Sequence, residues 1–241
     1  MPLRRIFSDS PLHAGRPVTL QGDAANHVLR VLRLRPGDSL VLFDGSGRDY
    51  EGEISALRRD AVTVQVGAGR VVESESPLDI TLLQGVCRGP RMDTVVQKAT
   101  ELGASRIQPV LTGRSVVRLD EDRADRKQAH WQRVAVAAAE QSGRSRIPLV
   151  AEPAPLGEVL AGLPAPCTRL LLDPAGESLR SATLKPPLVL LVGPEGGLSP
   201  AEQGLARDEG FRAVRLGPRI LRTETAPLAA LAILQLLGGD F

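Results

Sequence analysis

From Pro77 onward the chain alternates short apolar runs with helical patterns. That alternation restricts it to parallel strands joined by crossover helices. The runs fall at 80–86, 107–111, 170–172, 188–192 and 213–216. Between them, residues 93–102 place Val95 or Val96, Ala99 and Leu102 on one helical face, and Gly103 suits its end. Residues 120–142 predict a longer helix, with Trp131, Val134, Ala135 and Ala138 spaced to pack inward. Ser199-Pro200-Ala201-Glu202 reads as a helix start, with a serine cap, proline in the first position and glutamate in the third. Gly210 closes that helix. The last helix, from about residue 227 to 237, is apolar on nearly every side, which means burial all round or cover from a partner subunit.

The front of the chain follows another rule. Short β-prone runs at 18–20, 39–43, 51–57 and 61–66 are punctuated by Pro36-Gly37, Asp44-Gly45 and Arg59-Asp60. One helical pattern, 24–34, sets Val28, Val31 and Leu32 on a single face. The expectation is a small β-barrel with one helix, ending in a polar linker at 71–77. The domains so drawn are 1–73 and 74–241.

Composition narrows the function. Net charge is only +2, yet Lys98, Lys127 and Lys185 are the only lysines, so arginine carries nearly all the positive charge. Guanidinium groups suit phosphate and base-edge contacts, although a biased genome produces the same count. Phe7, Phe43, Tyr50, Trp131, Phe211 and Phe241 are too few and too scattered for a base-stacking platform. Cys87 and Cys167 form no paired motif, and His13, His27 and His130 are dispersed, so neither a disulfide nor a metal is expected. No apolar window is long enough to span a membrane, and the opening residues lack an apolar export signal. A cytoplasmic location is the expectation.

Two segments carry the chemistry. Val192-Gly193-Pro194-Glu195-Gly196-Gly197-Leu198-Ser199 lies directly after an apolar strand and directly before the capped helix. Its glycines leave backbone N–H groups unshielded at the strand's carboxyl end, where ligands of α/β sheets bind. It has neither the Lys-Ser/Thr of a P-loop nor the spacing of a dinucleotide fingerprint. Leu216-Gly217-Pro218-Arg219-Ile220-Leu221-Arg222-Thr223-Glu224-Thr225-Ala226 repeats the arrangement one unit later. A glycine-rich turn and surface charges capping a helix account for either segment alone; two at successive strand ends favour a ligand pocket.

These segments, 193–202 and 216–226, resemble the SPOUT methyltransferases, and within them the RsmE family, which methylates N3 of a uridine in 16S ribosomal RNA. Residues 92–103 and 137–148 match as well, as do 26–38 and 43–52 near the front, so the similarity runs nearly end to end. The resemblance implies an α/β domain with a deep trefoil knot, preceded by a PUA-like RNA-binding barrel. It also implies a homodimer with its cofactor sites at the interface. The cofactor would be S-adenosylmethionine, held by Leu191, Gly193, Pro194, Glu195, Gly196, Gly197, Leu216, Gly217, Ile220, Leu221, Thr225 and Ala226. Arg222 would stabilise negative charge developing on the uracil, and either Glu224 or Glu195 could take the imide proton.

His27, Arg30 and Arg33 share one side of the predicted front helix, opposite Val28 and Leu32, which alone describes a solvated face. The resemblance makes them, with Arg4, Arg5, Lys98 and Arg144, candidate contacts to RNA. Gln97, Glu101, Glu140, Gln141 and Ser142 match family positions too. The partner implied is 16S RNA within the small ribosomal subunit. Two other readings compete: a SPOUT enzyme acting on a transfer-RNA ribose, and a non-catalytic RNA-binding assembly factor.

Overall fold

Leu188–Val192 is buried at all five positions, as befits a central strand of a sheet covered on both faces. The computed structural model, which describes residues 4–115 and 121–241, divides into two units. One runs to Glu75 and also takes in Ala139–Ile147; the other holds Ser76–Ala138 and Pro148–Phe241.

The first unit contains β1 (Arg5–Phe7), β2 (Pro17–Leu20), α1 (Gly22–Asn26), β3 (Ser39–Phe43), β4 (Arg48–Leu57) and β5 (Val62–Val71). The strands form one sheet in the order β1-β3-β4-β5-β2, antiparallel apart from the β1–β3 pair. Alternation places Val62, Val64 and Val66 of β5 inward, where they meet Leu40, Leu42 and Ile54. The three residues of β1 are too short a run to be legible in the sequence.

The front helix differs from expectation. After α1 the chain winds as a π-helical turn over His27–Leu32, and Arg33 follows at φ 52°. The wider winding breaks the i, i+3, i+4 face, so Val28 is buried while Val31 is 70% exposed.

The second unit contains β6 (Ile80–Gly85), α2 (Arg91–Glu101), β7 (Arg106–Leu111), α3 (Glu121–Ser142), β8 (Leu149–Val150), β9 (Ala154–Pro155), α4 (Leu156–Ala161), β10 (Thr168–Ser178), β11 (Leu188–Val192), α5 (Pro200–Asp208), β12 (Arg212–Arg215) and α6 (Thr225–Gly238). The last residues of α3 group with the first unit. Asp120, where the sequence starts that helix, lies outside the described residues.

The sheet is parallel, in the order β12-β10-β11-β6-β7-β8, with β9 also on β7. Leu83, Val189 and Leu191 of the sheet pack with Leu156 and Leu160 of α4 and Ala206 of α5. Helices α2 and α6 pack on one another, and α6 also meets β11. The capping box expected at Ser199 forms: Glu202 N donates to Ser199 Oγ, and Ser199 N donates to Glu202 Oε2 at 2.7 Å.

In α6, Ala230, Leu231 and Leu234 are buried, but Leu236 and Leu237 are exposed. Gln235, buried on this apolar helix, is satisfied at both ends, accepting from Ser76 Oγ and donating to the Leu102 carbonyl. Among the described residues no helix is long and apolar enough to cross a membrane, and no His/Cys/Asp/Glu group could hold a metal.

Candidate active site

Strands β10, β11 and β12 are neighbours, and the loops beyond their carboxyl ends enclose a cleft of about 650 Å³. Leu171, Val192, Leu198, Val214 and Leu216 give it an apolar lining. Asp173, Glu195 and Glu224 supply negative charge, and Arg91, Arg114, Arg215, Arg219 and Arg222 supply positive charge. The position agrees with the rule that α/β sheets bind ligands outside their strands' carboxyl ends.

The loop after β11 is a tight turn. Gly197 N donates to the Pro194 carbonyl at 2.8 Å, with Gly197 at φ 65°, a conformation that favours glycine. Beneath it, a Cβ on Gly85 would lie 2.4 Å from Pro194 N, so only glycine at the end of β6 allows this approach. Arg114 Nη1 braces the outside by donating to the Gly196 carbonyl at 3.0 Å. Thr223, in the loop after β12, donates its hydroxyl to the Gly193 carbonyl at 2.7 Å and so joins the two loops.

Arg91 is the electrostatic pivot. Its Nη1 lies 2.7 Å from Glu195 Oε1, and its Nε lies 3.6 Å from Glu224 Oε1. Glu195 also accepts from Arg88 N at 3.0 Å. Burial alone would raise the Glu195 pKa, but the backbone N–H groups and Arg91 outweigh it and hold the carboxyl below its ordinary value. Glu224 has looser company, with Arg222 Nη1 at 4.0 Å. The Arg222 side chain is 81% exposed, available to an incoming substrate. Cys87 lies near Thr223, and burial pushes its thiol up to about 11.

Residues 74–235 match the family described as an RNA methyltransferase domain, and residues 20–67 match the RNA methyltransferase PUA domain. A ribosomal RNA small subunit methyltransferase E from Synechocystis is 36% identical over 222 residues, covering 89% of this chain and 71% of that protein. Its counterpart from Bacillus subtilis is 30% identical, with 92% of each chain covered. The chain belongs to the ribosomal RNA small subunit methyltransferase E family. A solved member of this family, from Neisseria gonorrhoeae and bound to S-adenosyl methionine, is 40% identical, with a TM-score of 0.94 over 99% of both chains.

For this family member, the residues expected at the cofactor all line the cleft except Leu191, Gly196 and Thr225. Leu191 is fully buried in the core below it, and Thr225 begins α6. Arg222 and Glu224 both line it. Arg91, Arg114, Gln84 and Thr223 were not singled out in the sequence, nor were Leu171–Pro174. The polar Asp173-Pro174 after three leucines is a signal for the last group. Arg91 gives none, being one arginine in an arginine-rich chain.

Two of the RNA-contact candidates have partners within the first unit. Arg5 is buried, ion-paired to Asp49, and donates to the Arg144 carbonyl at 2.9 Å and Ser145 Oγ at 3.2 Å. Its guanidinium also lies 4.8 Å from the centre of the Phe43 ring. Arg144 is buried against Glu75, with Nη2 2.8 Å from Oε2. Both charges are paired inside the first unit.

Arg30 and Arg33 are exposed, and Arg4 is half-buried. His27 Nδ1 lies 3.3 Å from Glu140 Oε2, and burial raises the Glu140 pKa against the opposing pull of Phe7 N–H and His27. Lys98 is held by Glu101 at 2.8 Å.

Proposed function

We propose that this chain transfers the methyl group of S-adenosylmethionine to N3 of a uridine in 16S ribosomal RNA of the small subunit. The observation that carries this reading is the cleft beyond β10, β11 and β12, bounded by two loops, in a chain of this family. A volume of about 650 Å³ is in the range of small-ligand sites. Leu171, Val192 and Leu216 suit an adenine, and the backbone of Gly193 and Gly197 suits close approach of a ligand. Asp173, Glu195 and Glu224 complement the cofactor's positive charges. When bound, the cofactor supplies a methyl group on a sulfonium, ready for attack by a nitrogen.

This chain's residues then do the rest. Base pairing hides N3, so the uridine enters unpaired or extruded, at a cost of a few kcal/mol in unstacking. Arg222 faces it from the cleft mouth and stabilises the negative charge that grows on a uracil oxygen as the imide proton leaves. Glu224 takes that proton. Glu195 is a poorer acceptor, because Arg91 and Arg88 N–H already occupy it. Arg91 keeps both carboxylates at the cleft.

In the first unit, Arg30 and Arg33 contact the RNA backbone. The protein works in the cytoplasm as a homodimer, a reading supported by the exposed Leu236 and Leu237 of α6. A trefoil knot in the second unit belongs to the same reading.

Incubation with S-adenosylmethionine labelled in its methyl group, and with small subunits from a strain lacking this gene, tests the reading. Label is expected in 16S RNA. Absence of label from 16S RNA, both naked and in subunits, contradicts it.

A further inference from the structure

The peptide between Gly193 and Pro194 has an acceptor and no donor, because proline lacks an N–H. Thr223 satisfies that acceptor, with Oγ1 donating to the Gly193 carbonyl at 2.7 Å. The same oxygen accepts from Gln84 Nε2 at 3.2 Å. A hydroxyl has a single proton, so the amide of Gln84 leaves that proton to point at Gly193. Gln84 is fully buried, and its Oε1 has no partner among the described residues. An unpaired buried acceptor is costly, so the contribution of Gln84 lies in its nitrogen. That nitrogen also donates to the Gly85 carbonyl at 3.1 Å.

One hydroxyl thus ties together the end of β6, the loop after β11 and the loop after β12. The latter two are the walls of the cleft. Their spacing fixes the cradle that a ligand meets.

We infer that Thr223 is a positioning residue for the cofactor, with Gln84 directing its hydroxyl. This rests on the cofactor reading given above. Thr223 acts through the Gly193 carbonyl, by holding the two loops at one separation. Loss of the hydroxyl takes this donor from the Gly193 carbonyl, leaves the Gln84 amide with the Gly85 carbonyl instead, and lets the loops part.

Calorimetric titration of the full chain with S-adenosylmethionine tests this, using wild type, Thr223→Val, Thr223→Ser and Gln84→Leu. A wild type that binds no cofactor overturns the cofactor reading and this inference with it. With wild-type binding in hand, Thr223→Val weakens affinity by about tenfold or more, or about 1.4 kcal/mol. Thr223→Ser restores most of it, and Gln84→Leu falls between. In turnover, Thr223→Val raises KM for the cofactor more than it lowers kcat at saturation. A folded Thr223→Val with wild-type affinity overturns the inference, as does a Thr223→Ser no better than the valine variant. If Thr223→Val does not fold, Gln84→Leu decides, and unchanged affinity there overturns it.

Discussion

Arg91 donates to Glu195 across 2.7 Å and thereby fastens the loop after β11 to the start of α2. The same guanidinium reaches Glu224 at 3.6 Å, so a single side chain orders two of the three acidic residues of the cleft. Arg91→Gln should lower kcat/KM for methylation on the order of tenfold to a hundredfold, the scale expected when reacting groups are misplaced by about 1 Å. Steady-state kinetics at neutral pH check this. Wild-type kcat/KM in the variant would show that the pairing is incidental.

Arg222 has the opposite character: exposed, with the Glu224 carboxylate at 4.0 Å. If its charge meets the uracil only as the proton leaves, Arg222→Ala should cut kcat by about 10²–10³. Cofactor affinity, read by calorimetry, should stay close to wild type. A variant that loses cofactor binding and keeps kcat at saturation would move Arg222 into the binding role.

The two units were unequally legible in the sequence. The parallel sheet announces itself because a strand such as Leu188–Val192, covered on both faces, must be apolar throughout, and Ser199 with Glu202 marks a helix start within four residues. Those signals are local. The burial of Arg5 is not local, because its partner Asp49 lies 44 residues away and Ser145 lies 140 away. An arginine reads the same in sequence whether it faces water or a buried carboxylate. Val31 lies off the expected face because that face assumes α-helical winding, and the turn at His27–Leu32 is wider. Arg91 escaped notice for a related reason: its role depends on Glu195 and Glu224, which only the fold brings to it.

The two classes of front-unit arginine should separate by experiment. Arg30→Ala or Arg33→Ala should leave stability nearly unchanged and lower the slope of log K against log salt by about 0.7–0.9 each. Arg5→Ala should instead destabilise the chain by about 1.5–3 kcal/mol, since buried Asp49 loses its charged donor and is left with Ser145 Oγ and Arg70 at 3.9 Å. Chemical denaturation and RNA binding at several salt concentrations distinguish them. A stable Arg5→Ala variant with a reduced salt slope would restore Arg5 to the RNA surface.

Glu202 caps α5 and accepts from Gly113 N at 2.8 Å. Burial would raise its pKa, but the hydrogen bonds from Ser199 and Gly113 outweigh this and lower it. A carboxyl with a folded pKa below its unfolded one stabilises the fold above the unfolded value, about 4.3. That contribution is lost as pH falls through the folded value. Glu202→Ala should therefore destabilise the fold at pH 7, and progressively less below about pH 4. Urea denaturation at both pH values checks the sign; an equal cost at each would contradict the ionic origin.

Cys87 is buried with its thiol pushed up to about 11, whereas Cys167 is half-exposed. At neutral pH the Cys87 thiol stays protonated, and it is shielded as well. Alkylation of the native protein should mark Cys167 first, as read by peptide mass. Preferential labelling of Cys87 would mean that the junction of Gln84, Thr223 and Gly193 opens readily.

In the function proposed above, the cleft between the loops after β11 and β12 methylates N3 of a uridine in 16S RNA. Mass mapping of 16S RNA from small subunits treated with the protein and S-adenosylmethionine tests it most directly. One methyl group is expected, on the base of a single uridine, placed at N3 by nucleoside analysis and formed far more slowly with Arg222→Ala. A methyl group on a ribose, on another base, or only on transfer RNA would contradict it.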